Sequence, residues 1–581
     1  MTDLTPHFGV FITHEEVTGR RVRRADAAAL LSRLNIHGVL KMIALLNASF
    51  VDPLDSRGDV RAMQNGLVAR FFDSSLKKEL QDSLYGRDVT IAVFYRQQQL
   101  LMLRLALEVC PTDSGLPWNK EAENIFGRVC LMVNDFAGHH EDELSRNDSS
   151  LGVASRLLAI GELPSDSQTA GLVGRAYEVW LQIPNQESLQ SEDNYVPIAQ
   201  RFEEKYGLSL KLFLQGLLLI VLKTESFNLL GPKPLDALLF NSTTYLNNAS
   251  FSPEVFQKVL EIVSCKLETL RDKLGTAPNQ NPRFDFSLLR RYPLIEVEPE
   301  TYLCYDPGFL RKFFTDGIYW RIHDALTSDE QEKFRSFFGK IFADYVENIL
   351  GHIYQDGPNS PKHLVKTRLA FTGNRGEVCD VFVQCDNSWV VIETKASLLT
   401  TRAKYLGTAD ALEQDLKGKF VSTKPQSRGK GVSKGVGQLA NSIRMLIDGI
   451  PTNADEIRLE NCSKIYPVLI SYDSAVISPA IPEYLEQQFL EQLTSKKGDL
   501  PARPKIMPLT VLSINDVEVL TSLRNRHELS SVLSTYRHAK RLGETFAGFI
   551  FRYNYYKIDA RLSKFFDSFL ELQASINQYF D

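Results

Sequence analysis

The chain has 581 residues, 44% hydrophobic and 24% charged, with a formal net charge of -5. These values fit a folded globular protein and exclude a disordered, collagen-like or fibrous chain. The slight acidity also counts against a protein that coats nucleic acid over its whole surface, while leaving room for a local basic groove.

At about 100–200 residues per domain, the length allows three to five domains or two large ones. The start, MTDLTPHFGVF, has no basic stretch followed by an apolar one, so no secretory signal is expected. The longest apolar run, Leu212 to Leu222, is interrupted by Gln215 and bracketed by Lys211 and Lys223. It falls short of the roughly 20 residues that cross a bilayer, so no membrane association is expected. The seven cysteines are scattered and form no CxxC pair. Neither a disulfide framework nor a zinc ribbon is indicated, which suits a cytoplasmic chain with reduced thiols.

Residues 1–280 read as a mostly helical accessory domain. Ala27 to Leu31 and Gln98 to Ala106 are rich in helix formers. Leu208 to Lys223 is apolar nearly all round, the mark of a buried helix. From Val255 to Lys273, the residues Val259, Ile262, Val263, Leu267 and Leu270 recur at helical spacing and predict one amphipathic helix. His139-His140-Glu141-Asp142 has metal-ligating residue types, but adjacent histidines cannot share a helix face, and a loop is the expectation. Gly275 to Arg283 carries the turn residues of a linker, and a domain boundary is placed there.

After the linker the pattern alternates. A short strand is expected at Thr301–Tyr305, a long helix at Asp329–Tyr354, and strands at Leu364–Thr372, Glu377–Cys385 and Trp389–Thr394. A basic loop, a helix at Val436–Asp448 and strands at Ile465–Tyr472 and Ile506–Ile514 follow. Alternation of this kind predicts an α/β sandwich over 285–530. Residues 531–581 return to helix, ending in Leu562–Phe580. The chain as a whole therefore reads as α+β or α/β.

The chemistry concentrates between Gly376 and Ser397. Two β-rich runs flank Asp386-Asn387, which suits a tight hairpin turn. Counting outward from a two-residue loop places Asp380 directly opposite Glu393. Side chains alternate along a strand, so Lys395 shares the face of Glu393 and Thr394 points away. Two facing carboxylates would repel, and a divalent cation removes that cost. Hard oxygen ligands of this kind suit Mg²⁺ or Mn²⁺. A lysine beside such an ion can orient a water and stabilise charge in a phosphorane-like transition state. Val390, Val391 and Ile392 suit a central strand buried on both faces, so the charges at its end are not idle surface decoration.

Asp380 followed by Glu393-Thr394-Lys395 across a hairpin resembles the PD-(D/E)XK nuclease superfamily, over roughly residues 290–525. The resemblance implies a restriction-endonuclease-like mixed sheet flanked by helices and Mg²⁺-dependent cleavage of nucleic acid. It also implies Asp380 and Glu393 as metal ligands and Lys395 acting on the attacking water. Cys379 stands where the motif has proline. The family pattern places an acid on the helix before the hairpin, and Gly339 to Leu350 resembles that helix, with Ala343 where many relatives have Glu. Asp344 and Glu347 share one helical face and are the candidates to complete the metal site, with Glu377 a third acid near the hairpin.

Between Lys417 and Lys434 lie Lys417, Lys419, Lys424, Arg428, Lys430 and Lys434 with no acidic residue. A glycine-rich basic loop beside a metal site can neutralise phosphates and admit a nucleic-acid backbone. It lacks the GxxxxGK[ST] spacing of a P-loop. Gln438, at the start of the next helix, is either a substrate contact of the kind relatives place there or a helix cap.

The expected function is a metal-dependent nuclease hydrolysing phosphodiester bonds, DNA favoured over RNA, in bacterial restriction or antiphage defence by analogy. Residues 1–280 would serve sensing, target recognition, self-association or binding of a partner protein. Two alternatives stay open: a catalytically silent nuclease fold that binds nucleic acid or a partner, and an interaction scaffold.

Overall fold

The strand Ser388–Lys395 lies at the centre of the largest sheet and explains its arrangement. Its Val390, Val391 and Ile392 are fully or almost fully buried. Each contributes roughly 1.5–3 kcal/mol by leaving water, and a strand with no polar face must be covered on both sides. The computed structural model describes residues 10–574 apart from 52–56, 86–90, 139–148, 161–168, 226–234, 246–250, 277–284, 355–362, 368, 373–375, 423–431, 455–456, 458, 495–503, 522–526, 541–543, 554–569 and 573.

Five further strands complete this mixed sheet. On one side Ser388–Lys395 pairs antiparallel with Val381–Cys385, which pairs antiparallel with His363–Thr367. On the other it runs parallel to Lys464–Ser471, with Lys395 opposite Ser471. Lys464–Ser471 in turn carries Lys505–Ile506 and Thr510–Ser513, both parallel. The strand expected over 506–514 is thus two pieces, because Pro508 has no N–H to donate to the ladder.

Side-chain alternation decides what covers each face. Val381, Val383, Val390 and Ile392 join Phe338, Phe342, Tyr345 and Ile349 of the long helix Ser328–Ile353. Phe382, Trp389 and Val391 join the opposite core, built from the helices Ala409–Leu416, Val436–Ile447 and Ile481–Thr494. The chain is α+β, with the long helix on one face and these three helices on the other.

The first 276 residues are mainly helical, as their composition predicts. One expected helix is broken. Pro253–Val263 and Leu267–Thr276 are separated by an extended segment, Ser264–Lys266, which pairs parallel with Leu294–Glu296. Ser264 and Cys265 are poor helix formers, and a strand partner further along the chain satisfies their backbone instead. That pairing belongs to a four-stranded sheet ordered Leu239–Asn241, Thr301–Cys304, Leu294–Glu298, Ser264–Lys266. Strands from both sides of residue 280 therefore share one sheet. Its two faces serve two cores: Leu294, Tyr302 and Cys304 face one, Ile295, Leu303 and Tyr305 the other. The first of these cores continues without a break from Leu172 to the central sheet. Trp180 stacks on Phe338 of the long helix at 5.2 Å.

Among the described residues no single helix is long and apolar enough to cross a membrane. All seven cysteines are free and buried. His139-His140-Glu141-Asp142 and the boundary residues 277–283 lie outside the described residues, as does almost all of the expected helix at 562–580. Within 531–553 the chain forms the helices Leu529–Ala539 and Phe546–Arg552.

The start of the helix Val436–Ile447 is pressed against the backbone of Phe420 and Val421. A Cβ on Gly437 would meet the Val421 carbonyl oxygen at 2.5 Å, whereas one on Gly66 would meet nothing within 4 Å. Replacing a helical glycine by alanine ordinarily stabilises by about 1 kcal/mol. Gly66→Ala should therefore raise the unfolding midpoint, and Gly437→Ala should lower it by at least about 1 kcal/mol. Urea titration of both variants checks the opposite signs.

Candidate functional site

The hairpin register follows the spacing of the sequence. Val381 pairs with Ile392, Phe382 with Val391 and Cys385 with Ser388, leaving Asp386-Asn387 as the loop. Asp386 takes φ 42°, a left-handed conformation that aspartate tolerates in tight turns. Asp380 follows in register as the residue opposite Glu393, one step beyond the last ladder pair.

That step changes what Asp380 does. Its Oδ2 accepts from the Thr394 amide at 2.6 Å and from the Thr394 hydroxyl at 2.8 Å. Thr394 was expected to point away from the acids; instead its hydroxyl holds one of them. Outside the ladder, the Asp380 carboxylate is free to curl over the strand end and satisfy the next amide. Glu393 is 4% exposed and accepts from the Lys395 ammonium at 2.8 Å. Among the described residues no hydrogen bond reaches Asp380 Oδ1 or Glu393 Oε2.

Burial is the chief force on Glu393. It raises the carboxyl from its ordinary 4.5, the charge of Asp380 adds to the rise, and Lys395 opposes it, leaving a value of about 7. Glu377 pushes in the same direction as Asp380. The acid pair is thus short of positive charge, even with Lys395 in contact.

The helix acids are placed differently from the expectation. Glu393 and Lys395 have the parity of Trp389 and Val391, whose core contains Leu439 and Ile443. Asp344 and Glu347 ride on the long helix Ser328–Ile353, which packs on the face carrying Val390 and Ile392. The sheet lies between them and Glu393, and the acid that acts on Glu393 besides Asp380 is Glu377. Among the described residues no group of three or more His, Cys, Asp or Glu side chains converges tightly enough to hold a metal. The donor set present is a carboxylate pair with a third acid close by. That suits Mg²⁺, which commonly takes one or two protein carboxylates and keeps waters for the rest of its shell.

The basic segment divides into three. Lys417 and Lys419 belong to a helical turn, Lys417–Val421, and not to a loop. Lys417 pairs with Glu413 at 2.7 Å and Lys419 with Asp415 at 2.9 Å. These acids sit four residues earlier, just outside the acid-free window. Lys419 also donates to the Leu398 carbonyl at 2.6 Å, tying this turn to the segment leaving the strand. Lys424, Arg428 and Lys430 lie outside the described residues. Lys434 is half-buried beside the Ser422–Ser433 bridge that closes the base of the loop. Gln438 resolves as a cap: its Oε1 accepts from the Gly435 amide at 3.0 Å.

A second polar region went unread in the sequence. The three adjacent parallel strands end side by side, and Asp473, just beyond one of them, accepts from the Leu399 amide at 2.7 Å and pairs with Lys404 at 2.9 Å. Its residues come from segments about 70 positions apart, so no local motif announces it.

Comparison with protein-family models, curated proteins and solved structures gives no match.

Because Glu393 binds its proton more tightly folded than unfolded, stability depends on pH with a definite sign. Below pH 4.5 both states are protonated and the shift has no effect. Between about 4.5 and 7 the unfolded chain loses the proton first, so stability falls as pH rises, and above 7 the penalty is complete. At about 1.4 kcal/mol per unit its size is of order 3 kcal/mol. Glu393→Gln should therefore unfold at a higher temperature than wild type at pH 8, the gap closing towards pH 4.5. Thermal melts across that range check it, and added Mg²⁺ at pH 8 should stabilise wild type but not the variant.

Proposed function

We propose that the chain is a metal-dependent nuclease of the PD-(D/E)XK type that hydrolyses phosphodiester bonds, DNA favoured over RNA. The observation that carries this reading is the strand-end register: Asp380 opposite Glu393, with Lys395 on the face of Glu393 and hydrogen-bonded to it. The mixed sheet with helices on both faces is compatible with a restriction-endonuclease-like core.

In this reading Asp380 and Glu393 would hold Mg²⁺ or Mn²⁺, with Glu377 as the third acid in place of Asp344 or Glu347. When bound, the ion supplies Lewis-acid polarisation of the phosphoryl oxygen and acidifies a water. The protein's own parts have separate tasks. Thr394 fixes the Asp380 carboxylate through two hydrogen bonds and so sets its orientation. Lys395 supplies a cation beside the acid pair, positions a water and stabilises charge developing on the phosphoryl oxygens. Glu393, near neutrality in its proton affinity, accepts a proton when the ion is absent. Lys417, Lys434 and the basic residues 424, 428 and 430 would meet the nucleic-acid backbone. A cytoplasmic role in restriction or antiphage defence is an analogy with proteins that fuse large accessory regions to such nucleases.

The silent-fold reading draws on a specific observation: among the described residues the acids form no three-ligand cluster. A cleavage assay separates the two. Wild type, Lys395→Ala and Glu393→Ala are incubated with plasmid, linear duplex, single-stranded DNA and RNA, in Mg²⁺, Mn²⁺ or EDTA. The nuclease reading expects metal-dependent cleavage that falls at least about 100-fold in either variant. Retention of nucleic acid at low salt without cleavage under any condition would instead identify a binding protein.

A further inference from the structure

The carboxyl ends of the strands Ser388–Lys395, Lys464–Ser471 and Thr510–Ser513 lie side by side and parallel. In open sheets of this kind ligands settle in the crevice beyond such ends. Here that crevice is a cavity of about 90 Å³. Helix Thr401–Tyr405 enters it after the first strand, Tyr472 to Ala475 after the second and Ile514-Asn515 after the third. The wall facing them comes from Arg175 of the helical half and from Arg290, Lys312 and Asp316 of the segment that follows residue 280.

Four cations therefore surround a small volume: Arg175, Arg290, Lys312 and Lys404, against the carboxylates of Asp316 and Asp473. Asp473 is engaged by Lys404, and Arg175 is engaged by Glu518, which stands behind the wall, at 2.6 Å. Among the lining side chains and Glu518, cations outnumber carboxylates by four to three. Two polar groups await something more. The Tyr472 hydroxyl has no hydrogen-bond partner, although the residue is 5% exposed. A buried hydroxyl left unsatisfied costs about 1–3 kcal/mol, which a ligand acceptor would recover. Among the described residues no hydrogen bond reaches the Asp316 carboxylate, and burial raises its proton affinity.

The volume sets the size of the occupant. At about 10–15 Å³ per water-sized site, 90 Å³ admits roughly six to nine non-hydrogen atoms. The occupant must accept from cations and from the Tyr472 hydroxyl, and offer a hydrogen to Asp316. A monoprotonated phosphate does both, having oxygens for the donors and one P–OH for the carboxylate.

We propose that this cavity binds a phosphate-class anion, either free or as the terminal group of a small phosphomonoester. The site is separate from the acid pair and does not depend on the nuclease reading. Tyr472 and Lys312 act as donors and Asp316 as the acceptor that selects a protonated oxygen.

The test uses the full chain and measures binding by calorimetry and by thermal shift at constant ionic strength. The probes are inorganic phosphate and ribose 5-phosphate, with chloride as the control. Wild type should show saturable binding and a raised midpoint with at least one phosphate probe. Preference for ribose 5-phosphate assigns a terminal phosphoryl group, and preference for inorganic phosphate a free anion. Tyr472→Phe keeps the ring that packs edge-on against Phe338 and Phe342, so it should fold with an unchanged or higher midpoint and bind about 10-fold more weakly. Lys312→Gln should also weaken binding. No saturable binding in wild type, or the same affinity in both variants, would overturn the proposal.

Discussion

Everything distinctive about this protein depends on a charged tip at the end of a strand whose middle is wholly apolar. Ser388–Lys395 is clamped between an antiparallel neighbour and a parallel one, so it cannot slide by one residue without turning its whole apolar set over. That constraint drives Glu393 into the protein beside Asp380, in an environment where its charge is not welcome. A lysine two residues on offsets part of the cost through a direct hydrogen bond. The rest remains as a proton affinity raised to about 7, chiefly by burial.

The same clamp organises the protein beyond the hairpin. Helix Ser328–Ile353 covers one face of the sheet and is itself covered by the helical half, through Trp180 on Phe338. The small sheet takes strands from before and after residue 280 and lends a face to each of two cores. The helical half is therefore continuous in packing with the sheet, and the buried Arg175–Glu518 pair bridges them. Removing one partner of such a pair strands a charge, typically at 3–5 kcal/mol, so the pair fixes orientation more than it adds stability.

What was legible in the sequence was whatever local periodicity encodes. The hairpin register could be counted from Asp386-Asn387 because strand alternation and a two-residue turn leave no freedom. Long-range decisions were not legible. Asp344 and Glu347 share a helical face, but which sheet face receives that helix is set by the distant core around Val390 and Ile392. The Val255–Lys273 periodicity read as one helix because nothing local shows that Leu294–Glu296 would recruit Ser264–Lys266. The basic window looked unpaired because Glu413 and Asp415 lie just before it. Thr394 misled for a subtler reason: alternation places its side chain correctly, but the partner comes from beyond the ladder, where alternation no longer rules.

The acid pair and the cavity share one end of the sheet, and their connection is direct and short. The Lys395 carbonyl accepts from the Tyr472 amide at 3.0 Å, so the residue carrying the unsatisfied hydroxyl hangs directly from Lys395. Four residues later Leu399 donates to Asp473, and Lys404 closes the same span with an ion pair. Lys419 holds Leu398 from the other side. The segment 395–404 is thus pinned at both ends and in the middle, which fixes the Lys395 backbone relative to the cavity wall. A rigid segment of this kind gives the two polar regions one frame of reference. The order that the central strand's apolar core imposes therefore extends past the strand's end, to a segment with charged groups on both sides of it.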